Sequence, residues 1–234
     1  MNIALLGYGR MGKSIEAIAL ERRHIITLKI SDASDKFDFS NTEVAIDFSV
    51  PTAAVSNITK ALDAGVPVIS GTTGWLHQYG EIVDYCHSKN GTFLYASNFS
   101  LGVNLFFEIN KKLGELMSNF PEYSVEMKEI HHTKKLDAPS GTAITLAEQI
   151  IEQTHYKKWT LEHASSDDIH IEAKRIPEVP GTHEVVYNSE IDSISIKHTA
   201  HSRQGFALGA VIAAEWIKDK KGIFSMKDVL QING

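Results

Sequence analysis

The stretch Ile3-Ala4-Leu5-Leu6-Gly7-Tyr8-Gly9-Arg10-Met11-Gly12 decides the fold. Four apolar residues of strand character run into glycines spaced G-x-G-x-x-G. Behind them, Met11 to Glu21 puts Ile15, Ile18 and Ala19 on one helical face. A strand that turns through glycines straight into a helix opens a parallel α/β unit. Gly7 suits the tight turn, Gly9 lets the backbone approach a pyrophosphate, and Gly12 permits close helix–strand packing. The helix N-terminus adds free N–H groups for the anion. Tyr8, Arg10 and Met11 complete this loop. Asp32 lies 20 residues past Gly12, after a second apolar run from Ile25 to Ile30, where a carboxylate would accept ribose hydroxyls. The alternative, a packing turn with Asp32 a surface acid, leaves the agreement of strand, helix and acid unexplained. Asp32 followed by Ala33 favours NADH, used at least as well as NADPH, although Arg10 or Lys29 could receive a 2′-phosphate.

The same rhythm continues outward. Val44–Phe48, Thr52–Ala64 ended by Gly65, Val66–Ser70, Leu76–Ser88 and Thr92–Ala96 read as strand, helix, strand, helix, strand. The strands are apolar enough for burial on both faces, which predicts a Rossmann-type, doubly wound parallel sheet. The pattern changes after Ser100. A long helix is expected from Val103 to Met117 and another from Gly141 to Gln153. Between and beyond them, Ser124–Ile130, Ile169–Ile176, Glu184–Tyr187 and Ile191–His198 alternate with period two, the mark of a mixed or antiparallel sheet with one covered face. Phe206–Ile217 is again strongly apolar and helical. The expected organisation is a dinucleotide-binding domain from 1–102 with 204–234, and a smaller α+β domain over 103–203.

Composition narrows the function. The 234 residues are 43% apolar and 22% charged with a net charge of −6, so no basic excess exists to track a nucleic-acid backbone. The lone Cys86 forms no internal disulfide and no CxxC zinc site, which fits a reducing cytosol. No run of 18 apolar residues predicts a membrane span. The apolar start is broken at Gly7 and reads as a first strand, not a leader.

Three further loops are expected at the carboxyl ends of strands, where such sheets bind ligands. They are Asp47-Phe48-Ser49, Gly71-Thr72-Thr73 and Ala96-Ser97-Asn98-Phe99. Their amides and oxygens suit a nicotinamide carboxamide or ribose, though ordinary turn chemistry uses the same residues. The most informative stretch is Glu129 to Thr142. An alternating strand ends in His131 and His132, Lys135 follows, and Ser140 is a good N-cap whose helix would aim the amides of Gly141 and Thr142 at an anion. Such a cluster can bind a carboxylate while His131 or Lys135 transfers a proton. Eight of the eleven histidines fall between 131 and 201, and His198-Thr199-Ala200-His201 has a ligand spacing; with no HExxH or cysteine partner, a metal site is not expected.

The run His131-His132-x-x-Lys135-x-Asp137-Ala138-Pro139-Ser140-Gly141-Thr142-Ala143 resembles the signature of the dihydrodipicolinate reductase family. The resemblance extends to Gly7–Gly12, Asp47-Phe48-Ser49, Gly71–Gly74, Ala96–Ser100, Gly102-Val103-Asn104, Ser202-Arg203, Phe206 and Gly209-Ala210. It implies NADH- or NADPH-dependent reduction of 4-hydroxy-tetrahydrodipicolinate, a small cyclic dicarboxylate, with loss of water on the diaminopimelate route to lysine. By position, it implies that His131 and Lys135 are the proton-transfer groups and that His132, Gly141 and Thr142 bind substrate carboxylate. Gly7, Tyr8, Gly9, Arg10, Met11, Gly12, Asp32, Gly71, Thr72, Thr73, Ala96, Ser97, Asn98 and Phe99 would hold the cofactor. It further implies a cytoplasmic homotetramer assembled through the second domain, and a hinge near Ser100–Gly102 and Ser202–Gly205. The chain looks short between its second and third strands, around Asp32 to Thr42, which makes Asp32 the loosest of these correspondences.

Overall fold

The computed structural model describes residues 1–32, 35–162, 165–202 and 204–232. Ala33 and Arg203, both part of the sequence reading, lie outside the described residues. In chain order the first elements are β1 (Asn2–Leu6), α1 (Arg10–Glu21), β2 (Ile25–Ile30), β3 (Val44–Asp47), α2 (Pro51–Asp63), β4 (Val68–Ser70), α3 (Tyr79–Ser88), β5 (Thr92–Tyr95) and α4 (Leu101–Met117). Then come β6 (Ser124–His131), α5 (Gly141–Ile151), β7 (Lys158–Thr160), β8 (Asp168–Arg175), β9 (Gly181–Asn188), β10 (Ser193–Ala200), α6 (Gln204–Ile217), β11 (Gly222–Phe224) and α7 (Met226–Val229). The chain divides into two compact units, Met1–Leu101 with Gln204–Gly234, and Gly102–Arg203.

The first unit is built on a six-stranded sheet of order β11-β5-β4-β3-β1-β2, every pairing parallel. Side chains alternate across it. Ile3, Leu5, Val44, Ile46, Ile69 and Leu94 pack on one face with Ile15 and Ala19 of α1 and the alanine-rich α6. Ala4, Leu6, Ala45, Val68 and Phe93 pack on the other with Ala54, Ile58 and Ala61 of α2 and Ile82 of α3. Burying each large aliphatic side chain contributes roughly 1.5–3 kcal/mol, so a strand covered on both faces is strongly held. β2 departs from that expectation: as the outermost strand it alternates exposed and half-buried residues, with Ile25 61% exposed. The expected helix over 76–88 is split, a 3₁₀ turn at Leu76–Gln78 leading into α3. Gly65 ends α2 with φ +70°, a conformation glycine adopts without strain. β11 and α7 were not legible, since three- and four-residue elements carry no period.

Register sets where the loops emerge. Leu6 is aligned with Asp47, Asp47 with Ser70, and Ser70 with Tyr95. The segments following these residues therefore start level along one edge of the sheet.

The second unit is a five-stranded mixed sheet of order β10-β9-β6-β8-β7. β8 is parallel to β6 and β7, whereas β9 is antiparallel to β6 and β10. On β6 the inward positions run Val125, Met127, Glu129, His131, so a face that begins apolar ends in an acid and an imidazole. Helix α5 lays Ala143, Leu146, Ala147 and Ile150 into this unit's core at helical spacing. Ile191, expected to start a strand, sits in the turn before β10 and is 93% exposed. Among the described residues no helix is long and apolar enough to cross a membrane.

Candidate active site

In the first unit the glycine loop is constrained by its surroundings. Gly7 has φ +98°, and a Cβ there would lie 2.2 Å from the carbonyl oxygen of Phe48. A Cβ on Gly12 would lie 2.4 Å from the carbonyl oxygen of Gly7. Gly9 is different: it is the N-cap of α1, no side chain caps the helix, and a Cβ would meet nothing within 4 Å. Space and the first amides of α1 are therefore open in front of Gly9, the cradle an anionic pyrophosphate requires. The donor set fits a dinucleotide. The amides of Gly7 and Tyr8 both donate to the Ile30 carbonyl at 2.9 Å, fixing the loop to the end of β2.

A cavity of about 610 Å³ runs from Gly7, Tyr8 and Gly9 past Ser31 and Asp32 to Phe48, Ser49 and Val50, with Phe37, Ser56, Asn57 and Lys60 completing its wall. Its charged lining residues are Asp32 and Lys60. Asp32 is exposed and in a turn with Asp35, whose carboxylate accepts the Asp32 amide at 2.9 Å. Lys29, considered above for a 2′-phosphate, instead pairs with Glu16 at 2.6 Å and lies over the Tyr8 ring. Tyr8 in turn hydrogen-bonds Glu16. Arg10 is exposed on the first turn of α1, beside the half-buried Met11.

The strand-end loops are organised by Asp47, which is wholly buried. It accepts from Ser49 Oγ at 2.7 Å, Asn57 Nδ2 at 3.1 Å, Ser70 Oγ at 2.8 Å and Thr72 Oγ1 at 2.7 Å. Burial pushes its carboxyl up, against the pull of these donors. Thr72 Oγ1 also accepts from the Ser49 amide at 2.9 Å, and its carbonyl takes the Trp75 indole at 2.7 Å. Thr72 is thus committed to the scaffold, leaving Gly71 and the exposed Thr73 as the parts of that loop open to a ligand. Gly71 lies against Phe48, where a Cβ would meet the ring at 2.3 Å. Ala96 donates to the Ser70 carbonyl at 3.2 Å, Asn98 Oδ1 accepts the Ser100 amide at 2.8 Å, and Ser97 is exposed. The Phe99 side chain is buried against Phe48 at 5.5 Å between ring centroids, so only its backbone can reach a ligand.

In the second unit β6 delivers His131 at its last residue, and the chain returns through 132–139 to α5. Ser140 is the N-cap: its Oγ accepts the Ala143 amide at 3.2 Å. Gly141 and Thr142 open the helix with amides that have no partner within it, and Gly141 is exposed. His131, His132, Lys135, Gly141 and Thr142 are therefore gathered on one strand end, one loop and one helix start. Lys135 Nζ donates to Asp137 Oδ2 at 2.8 Å, and its amide donates to the His132 carbonyl at 3.0 Å.

Behind them lies a group that the sequence reading passed over. Glu129 has no exposed surface. Its Oε1 accepts from Arg175 Nη2 at 3.0 Å, and its Oε2 accepts the Ser140 amide at 3.0 Å. His131 Nδ1 lies 3.5 Å from Oε2 and His183 Nε2 lies 3.8 Å from it, while His183 Nε2 is 3.0 Å from Ser140 Oγ. Burial pushes the Glu129 carboxyl up, but the Ser140 and Arg175 hydrogen bonds and the nearby His131 outweigh it and keep the group below the usual glutamate range. Burial pulls His131 down, partly opposed by Glu129 and reinforced by Lys135 and Arg175. Burial, with His131 beside it, pushes His183 down to about 3. Glu129, His131 and His183 present ligand atoms within 4.8 Å of one another. Both carboxylate oxygens are already engaged, and Arg175 supplies the compensating positive charge. Register explains the meeting: Glu129 is the cross-strand partner of His183 on β9, and His131 that of Arg175 on β8. The one available signal was an acid at an apolar phase of β6.

Comparison with known proteins agrees over nearly the whole chain. Residues 1–99 match the family model for the dihydrodipicolinate reductase N-terminus, and residues 102–230 that for its C-terminus. A 4-hydroxy-tetrahydrodipicolinate reductase from Christiangramia forsetii is 58% identical over 233 residues, covering 98% of each chain. One from Methanococcoides burtonii is 38% identical, covering 94% of this chain and 85% of its own. In fold, the chain is similar to a dipicolinate-bound dihydrodipicolinate reductase from Paenisporosarcina sp. TG-14, with a TM-score of 0.79 at 19% identity over 96% of this chain and 97% of that one.

Proposed function

The chain belongs to the dihydrodipicolinate reductase family, and on that premise we propose that it reduces 4-hydroxy-tetrahydrodipicolinate to tetrahydrodipicolinate with NADH or NADPH, releasing water, on the diaminopimelate route to lysine. One observation carries the assignment of roles: the stretch from His131 to Thr142 folds into a strand end, a loop and a helix start that gather an imidazole, an ammonium and two helix-opening amides. The first unit binds the dinucleotide, with the α1 amides at Gly9 for its pyrophosphate and Asp32 for its ribose. Gly71, Thr73 and the 96–99 backbone supply polar contacts further along the sheet edge. The bound cofactor supplies hydride.

The second unit binds and protonates the substrate. The Gly141 and Thr142 amides, with His132, take a ring carboxylate, where helix N-terminus and charge-assisted hydrogen bonds reinforce one another. Loss of the 4-hydroxyl as water leaves a ring C=C conjugated to the imine, and hydride addition to that double bond builds negative charge towards nitrogen. Lys135 stabilises that charge, and His131 or Lys135 delivers the proton. The same reading extends to a cytoplasmic homotetramer, supported by the exposed Ile191 and Ile194 beside and on the sheet-edge strand β10; light scattering tests the mass.

A coupled assay tests the reaction. Pyruvate and aspartate semialdehyde are condensed enzymatically, this protein is added, and NADH absorbance is followed. Lys135→Ala should lower kcat/KM by about 10²–10⁴-fold, the range for loss of a positioned acid, with NADH affinity unchanged. A loss of NADH binding instead would place Lys135 in the cofactor site and overturn its assigned role.

A further inference from the structure

We infer that Glu129 is a positioning residue for the reduction, one carboxylate that holds the His131 imidazole and the Gly141–Thr142 amides in a fixed mutual arrangement. The inference rests on the reductase reading and adds to it a residue that touches no substrate. Glu129 Oε2 accepts the amide of Ser140, the residue that caps α5, and lies 3.5 Å from His131 Nδ1. The acid therefore spans the two parts of the site that must act on the same molecule. Through Oε1 it fixes Arg175, whose Nη2 also donates to the Asp137 carbonyl at 2.6 Å. That pins the loop whose Asp137 side chain holds Lys135.

Burying an ion is costly unless it is fully paired, and a close-packed apolar group could fill the same space without that cost. What an apolar group could not do is orient the imidazole. His131 Nδ1 is buried and makes no hydrogen bond among the described residues. The nearest charge to that edge is Glu129 Oε2 at 3.5 Å, and its field favours the edge facing inward, beside the edge-on packing of the ring against His183. The opposite edge, Nε2, lies beside Gly181, where a Cβ would stand only 3.2 Å away, so a glycine leaves this nitrogen uncrowded.

The groups facing His131 are Glu129 on its own strand, Arg175 on β8, His183 on β9, and Lys135 and Asp137 on the loop. His183 is neutral there, so the buried Glu129 and the half-buried Arg175 are the fixed charges nearest the ring, of opposite sign. That gives a test with two signs. In Glu129→Gln the amide oxygen still accepts from Ser140, but the negative charge is gone. His131, followed by NMR, should titrate about one pH unit lower, and the limb of the kcat–pH profile that reports its protonated form should move with it. kcat should fall about 10-fold or more while KM changes less than about threefold. In Arg175→Gln the His131 titration should move up. Glu129→Asp should restore part of kcat, and Glu129→Ala, which also abandons the Ser140 amide, should raise KM as well. An unmoved titration in folded Glu129→Gln, or a shift of the same sign in Arg175→Gln, overturns the inference. The titration needs no turnover: if the wild-type protein fails the coupled assay, the reductase reading falls while the NMR result still decides the role of Glu129.

Discussion

The two units build their binding surfaces from opposite materials. In the first, the glycine loop works by what is missing: no Cβ at Gly7, Gly9 or Gly12, and backbone amides as the polar groups. In the second, the two α5 amides are set among titratable side chains around the fully buried Glu129, with Arg175, His131 and His183 against it. A backbone-built site has little to titrate and fails when atoms are added. A charge-built site tolerates shape but responds to protons. The difference assigns each unit its own kind of vulnerability.

The sharpest break is expected from adding a single methyl group to the glycine loop. Gly7→Ala places a Cβ 2.2 Å from the Phe48 carbonyl oxygen at φ +98°, so the turn itself must shift. About 3 kcal/mol of stability should be lost, combining backbone strain with overpacking. Gly9→Ala meets nothing within 4 Å, so its melting temperature should match the wild type. The methyl group instead occupies space in front of the α1 amides, and NADH affinity should drop by about 10-fold or more, the loss of close backbone approach to a pyrophosphate. Thermal melts and fluorescence titrations separate the two variants. Equal melting behaviour would show that the loop relaxes freely, and undiminished NADH binding by Gly9→Ala would remove the pyrophosphate from this position.

Acid should find the second unit next. His183 titrates near 6.5 in the unfolded chain but is pushed down to about 3 when folded, by burial first and by His131 second. The unfolded state therefore binds the extra proton below pH 6.5. The contribution of this group is complete above that pH and is lost as pH falls towards 3. At pH 5 the loss amounts to about 2 kcal/mol. His131 is shifted in the same direction and adds to the slope. Glu129, held below its ordinary range, contributes only at more acidic pH. Denaturant unfolding at pH 7 and pH 5 measures the sum, and His183→Gln should flatten it. A variant that loses as much stability between those pH values as the wild type would place the acid sensitivity elsewhere.

The same contrast explains what the sequence disclosed. The glycine loop announces itself locally: Gly12 packs on the Gly7 carbonyl within the same turn, and the strand before and helix after give the context, although the atom that confines Gly7 is the Phe48 carbonyl oxygen from the loop after β3. Ser140 was equally legible, because an N-cap and the amides it orients lie within a few residues. Glu129, Arg175 and His183 were not, because their meeting depends on the registers of β6 with β8 and of β6 with β9 across 46 and 54 residues of chain. Asp47 was hidden for a related reason. It was quoted as the first residue of a turn, yet its donors come from Ser49, Asn57, Ser70 and Thr72, on three different segments. Strand pairing decides such clusters, and pairing leaves no pattern at any one position.

Cofactor choice refines the comparison, since it is the one place where the backbone-built site uses charge. Asp32 and Lys60 line the same cavity with opposite signs. The carboxylate suits a ribose diol and repels a 2′-phosphate; the ammonium attracts that phosphate. Lys29 is removed from the competition by its 2.6 Å pair with Glu16. Lys60 Nζ stands 3.7 Å over the ring of Phe37, an apolar surface in the same wall, which keeps the ammonium at the cavity edge. Lys60 is solvent-exposed and its attraction is screened, so the effect is small. Lys60→Ala should weaken NADPH binding by about 3- to 10-fold, the size of one exposed charge-assisted contact, and leave NADH binding unchanged. Asp32→Asn should shift the ratio the other way, favouring NADPH. Parallel titrations with both nucleotides decide the matter. If Lys60→Ala weakens both equally, the lysine supports the base or the pyrophosphate and not a 2′-phosphate, and the first unit's discrimination rests on Asp32 alone.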